Sequence, residues 1–517
     1  MMVTSPHAGA TQCGVDVLAS GGNAVEAAIA TVLSLCVTLP HFCGLAGDAF
    51  LLIGDARGQV RTISGIGQAA ADISSYASGI PVRGPRSALT SAGTVDALHQ
   101  ALLISQSELG GRKSWADLLR PAITLAREGF EISASERFWL GFRLAEAASL
   151  PGIFPAFLHQ GEVPPAGFVR QQSELARTLE TLAERGPRDL YEGQLAQRIA
   201  QGLREAGSPL SAEDLARTRA RIEPPLSVPY RGGELLAHQP PTQGITTLEI
   251  MGILDRFDLS AVAEGSADHY HLLVEAVKQA FIDRNRWLAD PDFADLPPLL
   301  SAAHLDHRAQ AIRSDRALPW PHRFQEGDTV YVGAADSQGN TVSMLATTYY
   351  DWGSGVTVGD TGLIWHNRGA AFSTDPSHPN ELAPGKRPFH TLNPGMYRKD
   401  GRVQLLYGTQ GADGQPQTLA AILTRLIDYR MAPMAALAAP RFLLGKTFSD
   451  SRDSLKLEDD VPQDVIAELR RRGHDLSLLP RQSPLMGHPG AIAIDPLTGQ
   501  MSGAHDPRSD GLARHAG

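Results

Sequence analysis

Cysteine is scarce. Cys13, Cys36 and Cys43 are three residues in 517, too few for a disulfide scaffold. A basic excess is lacking too: 46 Lys and Arg face 56 Asp and Glu, a formal net charge of -10. Nucleic-acid binders normally carry a basic field, so the balance argues against that class. No stretch reaches about 18 uninterrupted apolar residues, so no membrane span is predicted. The nearest, Ala24 to Leu39, contains Glu26, Thr31 and Ser34 and reads as a buried helix. Met1 to His7 lacks the basic-then-apolar pattern of a secretory signal. A cytoplasmic, reduced protein is expected. Internal repeats and low-complexity segments are missing as well.

Core-forming material is plentiful. Hydrophobic residues make up 43% of the chain and charged residues 20%, enough for a sizeable buried core. The length fits roughly three domains of about 100–200 residues or one large multi-layer fold. The 51 glycines predict tight turns and close backbone approaches.

Ala10 to Leu39 reads as two helices parted by Gly21-Gly22-Asn23, with Asn23 capping the second. Ala49 to Ile53 and Gln59 to Ile63 form a predicted hairpin. Ser114 to Ala206 is mostly helical, with connections at Pro164-Pro165 and Pro224-Pro225. Ala267 to Asp290 is a strong helix with Asp268 as its expected cap. Thr329 to Ala335 and Thr341 to Ala346 are strands joined through a Gly-Asn turn, and Phe372 to Pro394 is a loop. The mixture predicts α/β or α+β architecture, with helices packed on sheets.

Several motifs are weak when read alone. Gly65-Ile-Gly67 fits a loose dinucleotide fingerprint, but no βαβ unit follows it. Gly408-Thr-Gln-Gly411 lacks the Lys-Ser/Thr pair of a P-loop and reads as a turn exposing backbone N–H groups. His269 and His271, two apart on a helix, point to different sides and do not converge on one ion. No metal or organic cofactor is implied. By itself Thr329 is a Thr entering a strand, and Thr347 a β-branched strand residue.

Taken together, the segments form a pattern. They are Ala19-Ser-Gly-Gly-Asn-Ala-Val-Glu-Ala-Ala28, Val37-Thr-Leu-Pro-His41, Gly44-Leu-Ala-Gly-Asp48, His271 to Lys278 with Asp283-Arg284, and Asp328-Thr329. Asp336 to Val342, Gly353-Ser-Gly355, Pro384 to Pro388, Ala439 to Phe442 and Asp506 to Ser509 continue it. In this order the chain resembles the γ-glutamyltransferase family of N-terminal-nucleophile hydrolases over nearly its whole length. The resemblance implies an α+β fold, a four-layer αββα sandwich, and an inactive precursor that cuts itself before a Thr. It places the cut at Asp328–Thr329, giving fragments 1–328 and 329–517 that remain one interwoven domain. Thr329 becomes the nucleophile. Its freed α-amine, with a reference pKa near ~7.7–8.0, serves as base. Thr347 matches the Thr that hydrogen-bonds the nucleophile. The backbone oxyanion donors of the family's Gly-Gly pair fall on Gly411 and Ala412.

The amino-acid-binding shell of the family is replaced. Its Arg falls near Ile66, its Asn on Tyr349, its amine-binding acid on Ala371, a nearby Gln/Glu on Arg368, and its two Ser on His390 and Thr391. A cation and a methyl have replaced an acceptor and a carboxylate. That change favours a substrate with a carboxylate and no amine, and it resembles the oxamate amidohydrolase branch of the family. Bland readings stand beside this one: Arg368 pointing to solvent, His390 packing a loop. The expected function is hydrolysis of a small carboxylate-bearing amide, oxamate to oxalate and ammonia. A γ-glutamyltransferase or glutathione hydrolase, and an inactive scaffold, are the alternatives. Expected partners are the amide substrate and the two fragments of the chain, with a homodimer also open.

Overall fold

The structure, a computed structural model, describes residues 1–147, 154–320, 327–447 and 450–517. Two large sheets form its centre. The first has seven strands, in the order Leu512–His515, Met2–Ser5, Asp328–Ala335, Thr341–Tyr349, Asp48–Gly54, Val60–Gly65 and Arg221–Glu223. The second has six: Met501–His505, Pro489–Ile494, Arg402–Thr409, Gly395–Lys399, Gly233–Ala237 and Leu226–Tyr230. Every pairing within these two sheets is antiparallel.

Side-chain alternation explains the layering. Val330, Val332 and Ala334 join a core shared with the helices Ala8–Ala19, Ala24–Thr38, Thr94–Glu108 and Trp115–Glu128. Their strand neighbours turn the other way. Tyr331 packs with Phe50, Leu345 and Leu392, and Ala335 with Met2, Leu236 and Ile492, all between the sheets. A third core lies beyond the second sheet, against Gly244–Leu254, Ala267–Trp287 and Gln415–Leu423. Helix, sheet, sheet, helix is the resulting order, the expected four-layer α+β sandwich.

The inter-sheet space is tight. A Cβ on Gly408 or Gly490 would approach the Tyr331 ring to 2.2 and 2.6 Å, so the tyrosine fits only between two glycines. Ser343 on the first sheet donates to the Tyr407 carbonyl on the second at 2.9 Å.

Local signals explain most element ends. Asn23 and Glu26 form a reciprocal capping box at the start of Ala24–Thr38. The first helix begins at Ala8 rather than Ala10, because the His7 ring accepts from the Ala10 N–H. The long helix starts at Ala267, but Ser266 caps it and not Asp268, and it stops at Trp287 where Leu288 is extended. The short strands Phe130–Glu131 and Val169–Arg170 interrupt the expected helical region. Strand Met2–Ser5 had no sequence signal; it lies between Asp328–Ala335 and Leu512–His515. Among the described residues, no helix is long and apolar enough to cross a membrane.

Candidate active site

Two neighbouring strands meet at one end of the inter-sheet space. Ala346 pairs with Val330, and Tyr349 pairs with Asp328. Two residues, Thr347 and Thr348, therefore oppose the single Thr329. Such a bulge re-aims side chains. Tyr349 takes a positive φ of 80° there, a conformation costly for a bulky residue. The Thr347 hydroxyl donates to the Asp328 backbone carbonyl. Its oxygen accepts the Tyr349 N–H at 2.7 Å, which leaves the hydroxyl proton aimed at that carbonyl. Thr329, Thr347 and Asp328 are all buried.

The second sheet brings a turn to the same place. Strand Arg402–Thr409 runs into Gln410, Gly411 and Ala412, with φ values of 127° at Gly411 and 44° at Ala412. A left-handed alanine costs about 1–2 kcal/mol, so the surroundings must hold the turn. Gln410 donates to the Asp328 carboxylate at 2.6 Å, and Gln415 donates to the Thr329 hydroxyl at 3.4 Å. The Gln243 side-chain NH2 donates to the Ala412 carbonyl at 2.7 Å and to the Thr391 carbonyl at 2.8 Å. Its oxygen accepts from Arg284 at 3.0 Å, and Arg284 also pairs with Asp413 at 3.0 Å.

A charged group sits behind these residues. Arg368 is wholly buried, its guanidinium centred 3.6 Å from the Tyr349 ring centroid. Its Nη2 donates to the Thr391 hydroxyl at 3.3 Å, while Nε and Nη1 have no partner. Burial pulls its pKa down to about 10, so it remains a cation near neutrality. The solvent-pointing reading of Arg368 is therefore overturned.

His390 uses both ring nitrogens inside the protein. Nε2 lies 3.1 Å from Asp48 Oδ2, and Nδ1 accepts the Leu392 N–H at 3.3 Å. Burial, with Arg368 nearby, lowers its pKa to about 3, and the ring is neutral. Asp48 also accepts the Gly67 N–H at 2.9 Å and the Gly93 N–H at 3.2 Å, and His366 Nδ1 lies 3.4 Å from it. Burial alone would raise the Asp48 pKa. The two imidazoles outweigh that effect and hold the carboxyl well below the usual range. The glycine turn that mimics a nucleotide fingerprint thus cradles a carboxylate of the protein itself.

All the sequence-derived positions fall in one region. Thr347 and Tyr349 meet Asp328 across the bulge, Gln410 and Gln415 on either side of Gly411 and Ala412 reach Asp328 and Thr329, and Arg368, His390 and Thr391 adjoin them through Tyr349 and Gln243. Ile66 packs among Phe50, Tyr331 and Leu345, so apolar core occupies the place of the family's Arg. Ala371 packs with Tyr349, Ile245 and Phe389. A cavity of about 540 Å³ runs from exposed Thr374 to buried Ala371, bounded by Arg284, Asn380 and Phe389. Gln243 and Gln415, and the roles of Gln410 and Asp48 within their quoted segments, were not foreseen; an amide side chain carries no spacing signal of its own.

Among the described residues, two clusters could geometrically hold a cation: His271, Glu275 and His474, and Glu249, Asp283 and His304. As expected, His269 and His271 diverge; His269 faces Thr424, and His271 faces His474 at 2.8 Å. His271 also donates to the Arg313 carbonyl at 2.7 Å, and Glu275 accepts from Lys278 at 2.7 Å. Asp283 accepts from Arg308 at 2.6 Å.

Comparisons with known proteins identify the family. A model of the gamma-glutamyltranspeptidase family matches residues 10–516. The chain is 42% identical to the oxamate amidohydrolase proenzyme of Klebsiella pneumoniae subsp. pneumoniae, over 99% of this chain and 98% of that one. It is 39% identical to a glutathione hydrolase-like proenzyme of Bacillus subtilis, again over 99% and 98%. The cephalosporin acylase of Bacillus halodurans superposes with a TM-score of 0.91 at 31% identity, covering 99% of this chain and 95% of the acylase. The chain belongs to the gamma-glutamyltranspeptidase family and is an autoprocessing enzyme of the N-terminal-nucleophile hydrolase type.

Proposed function

We propose that Thr329 is the nucleophile of an amidohydrolase whose substrate is a small amide bearing a carboxylate, oxamate being the best fit. The carrying observation is Arg368: a wholly buried cation with two nitrogens unpartnered. An unpaired buried charge is costly, and a bound carboxylate relieves that cost. Thr391 completes the clamp. Tyr349 and neutral His390 wall it. The methyl of Ala371 offers nothing to an ammonium. The 540 Å³ cavity beside Ala371 is the route in.

Maturation comes first. Thr329 Oγ1 adds to the Asp328 carbonyl carbon, and the oxygen that gains charge accepts from Thr347. The Asp328–Thr329 C–N bond breaks. The nitrogen takes the hydroxyl proton, and an ester remains on Oγ1. Water cleaves the ester and leaves an Asp328 carboxylate, a free Thr329 hydroxyl and a free α-amine. The products are residues 1–328 and 329–517.

Turnover repeats the chemistry on the substrate. The α-amine takes the Thr329 hydroxyl proton as the oxygen adds to the amide carbon. The N–H groups of Gly411 and Ala412 receive the oxyanion. Ammonia leaves with that proton, and water hydrolyses the acyl ester to release oxalate.

Ammonia release from oxamate and glutamine, with cysteinylglycine release from glutathione, tests the reading. Oxamate should be preferred. Equal or better turnover of a γ-glutamyl anilide would favour the second reading, a glutathione hydrolase, which the 39% identity to the Bacillus subtilis relative supports. A cytoplasmic location and a homodimer belong to the same proposal; cell fractionation and light scattering test them.

A further inference from the structure

One carboxamide joins the two halves of the site. Both hydrogens of the Gln243 amide are used, one on the Ala412 carbonyl at 2.7 Å and one on the Thr391 carbonyl at 2.8 Å. Ala412 belongs to the turn proposed above to receive the oxyanion, and Thr391 holds Arg368 through its hydroxyl. Gln243 itself cannot turn over. Its oxygen accepts from Arg284, which is held in turn by Asp413 and stacked on Phe281 with its guanidinium 4.0 Å from the ring centroid. Gln243 and Arg284 are both buried.

We propose that Gln243 is a positioning residue that sets substrate length, by fixing the spacing between the Gly411–Ala412 turn and the Arg368–Thr391 clamp. This rests on the amidohydrolase reading above. In oxamate the carboxylate and the amide carbon are directly bonded. A site that grips both therefore tolerates little change in spacing. Each added methylene moves the amide carbon away from Thr329 while the carboxylate stays clamped. A misplacement near 1 Å costs about 10²-fold in rate.

The experiment uses oxamate, malonamate and succinamate with the wild-type enzyme, Gln243→Ala and Gln243→Glu. Gln243→Glu keeps the shape and the Arg284 contact but removes both donated hydrogens. Wild type should prefer oxamate. Both variants should lose about 10²-fold in kcat on oxamate with KM within threefold, and change less than threefold on succinamate, so that discrimination collapses. An equal loss on all three substrates, or a fully active Gln243→Glu, overturns the length role and leaves the amidohydrolase reading intact. If wild type releases ammonia from none of the three, that reading falls, and the length role falls with it. If neither variant matures into two fragments, Gln243 serves assembly and the proposal is overturned.

Discussion

The Thr347 hydroxyl donates its proton to the backbone carbonyl of Asp328, and the Tyr349 N–H holds that hydroxyl in place at 2.7 Å. Thr347 stands on the neighbouring strand of the same sheet, across a bulge. In the proposed cleavage, the uncut bond thus already carries a donor on the oxygen where charge develops. Thr347→Ala should slow self-cleavage about 10²–10³-fold, the usual cost of losing one oxyanion donor. Thr347→Ser should stay within about tenfold of wild type. The time course of fragment appearance on a denaturing gel measures both. Equal rates for wild type and Thr347→Ala would remove Thr347 from the mechanism.

Thr329→Ala should remain a single chain of 517 residues and release no ammonia. Intact mass reads the outcome. A cut that persists at residue 328 in this variant would place the nucleophile elsewhere.

Arg368 separates stability from function. Replacing buried ionic groups with well-packed apolar residues is often neutral or stabilises by about 1–4 kcal/mol. Arg368→Met should therefore keep or raise the urea midpoint while lowering kcat/KM on oxamate by more than about 10²-fold, roughly 3 kcal/mol of lost carboxylate binding. A destabilised variant with intact turnover would show that the side chain serves packing.

Acid should unfold the protein through its histidines. Burial lowers His238, His269, His390, His474 and His505 to about 3 and His488 to about 4, from an ordinary 6.5. Between these values and 6.5 the unfolded chain binds more protons than the folded one. Stability is then complete above pH 6.5 and falls as the pH drops toward 3–4. Each histidine contributes up to about 1.4 kcal/mol per pH unit in that window. Denaturation midpoints at pH 5 and pH 7.5 measure it. A higher midpoint at pH 5 would contradict the burial of these rings.

Much of this architecture was legible in the sequence. Asn23 and Glu26 announce a helix start by their spacing, and the strands before and after Asp336 announce themselves by alternation and turn residues. Those signals are local. The missed strand Met2–Ser5 has four residues and draws its register from partners at 333–335 and 512–515. The site divides the same way. Thr329 and Thr347 share a hairpin, so their relation is a matter of spacing. Gln243 meets Ala412 and Asp48 meets His390 across 169 and 342 positions. Only the packing of the two sheets brings those pairs together, and no periodicity records it. Arg368 was legible by type and not by environment: an arginine has no sequence mark that says it is buried.

Strand Met2–Ser5 also governs what a cut can release. Its two hydrogen-bonded neighbours both belong to residues 329–517, apart from Asp328 at one strand end. In the second sheet, Gly395–Lys399 from the later part is laddered to Gly233–Ala237 from the earlier part. Two polypeptides sharing backbone ladders in both sheets are laced, not docked. Their union should be indifferent to dilution, with no measurable dissociation constant short of unfolding. Synthesised as separate chains, neither has a complete sheet on which to fold. With the cut proposed at Asp328–Thr329, a single precursor is the means of weaving the two fragments into one enzyme.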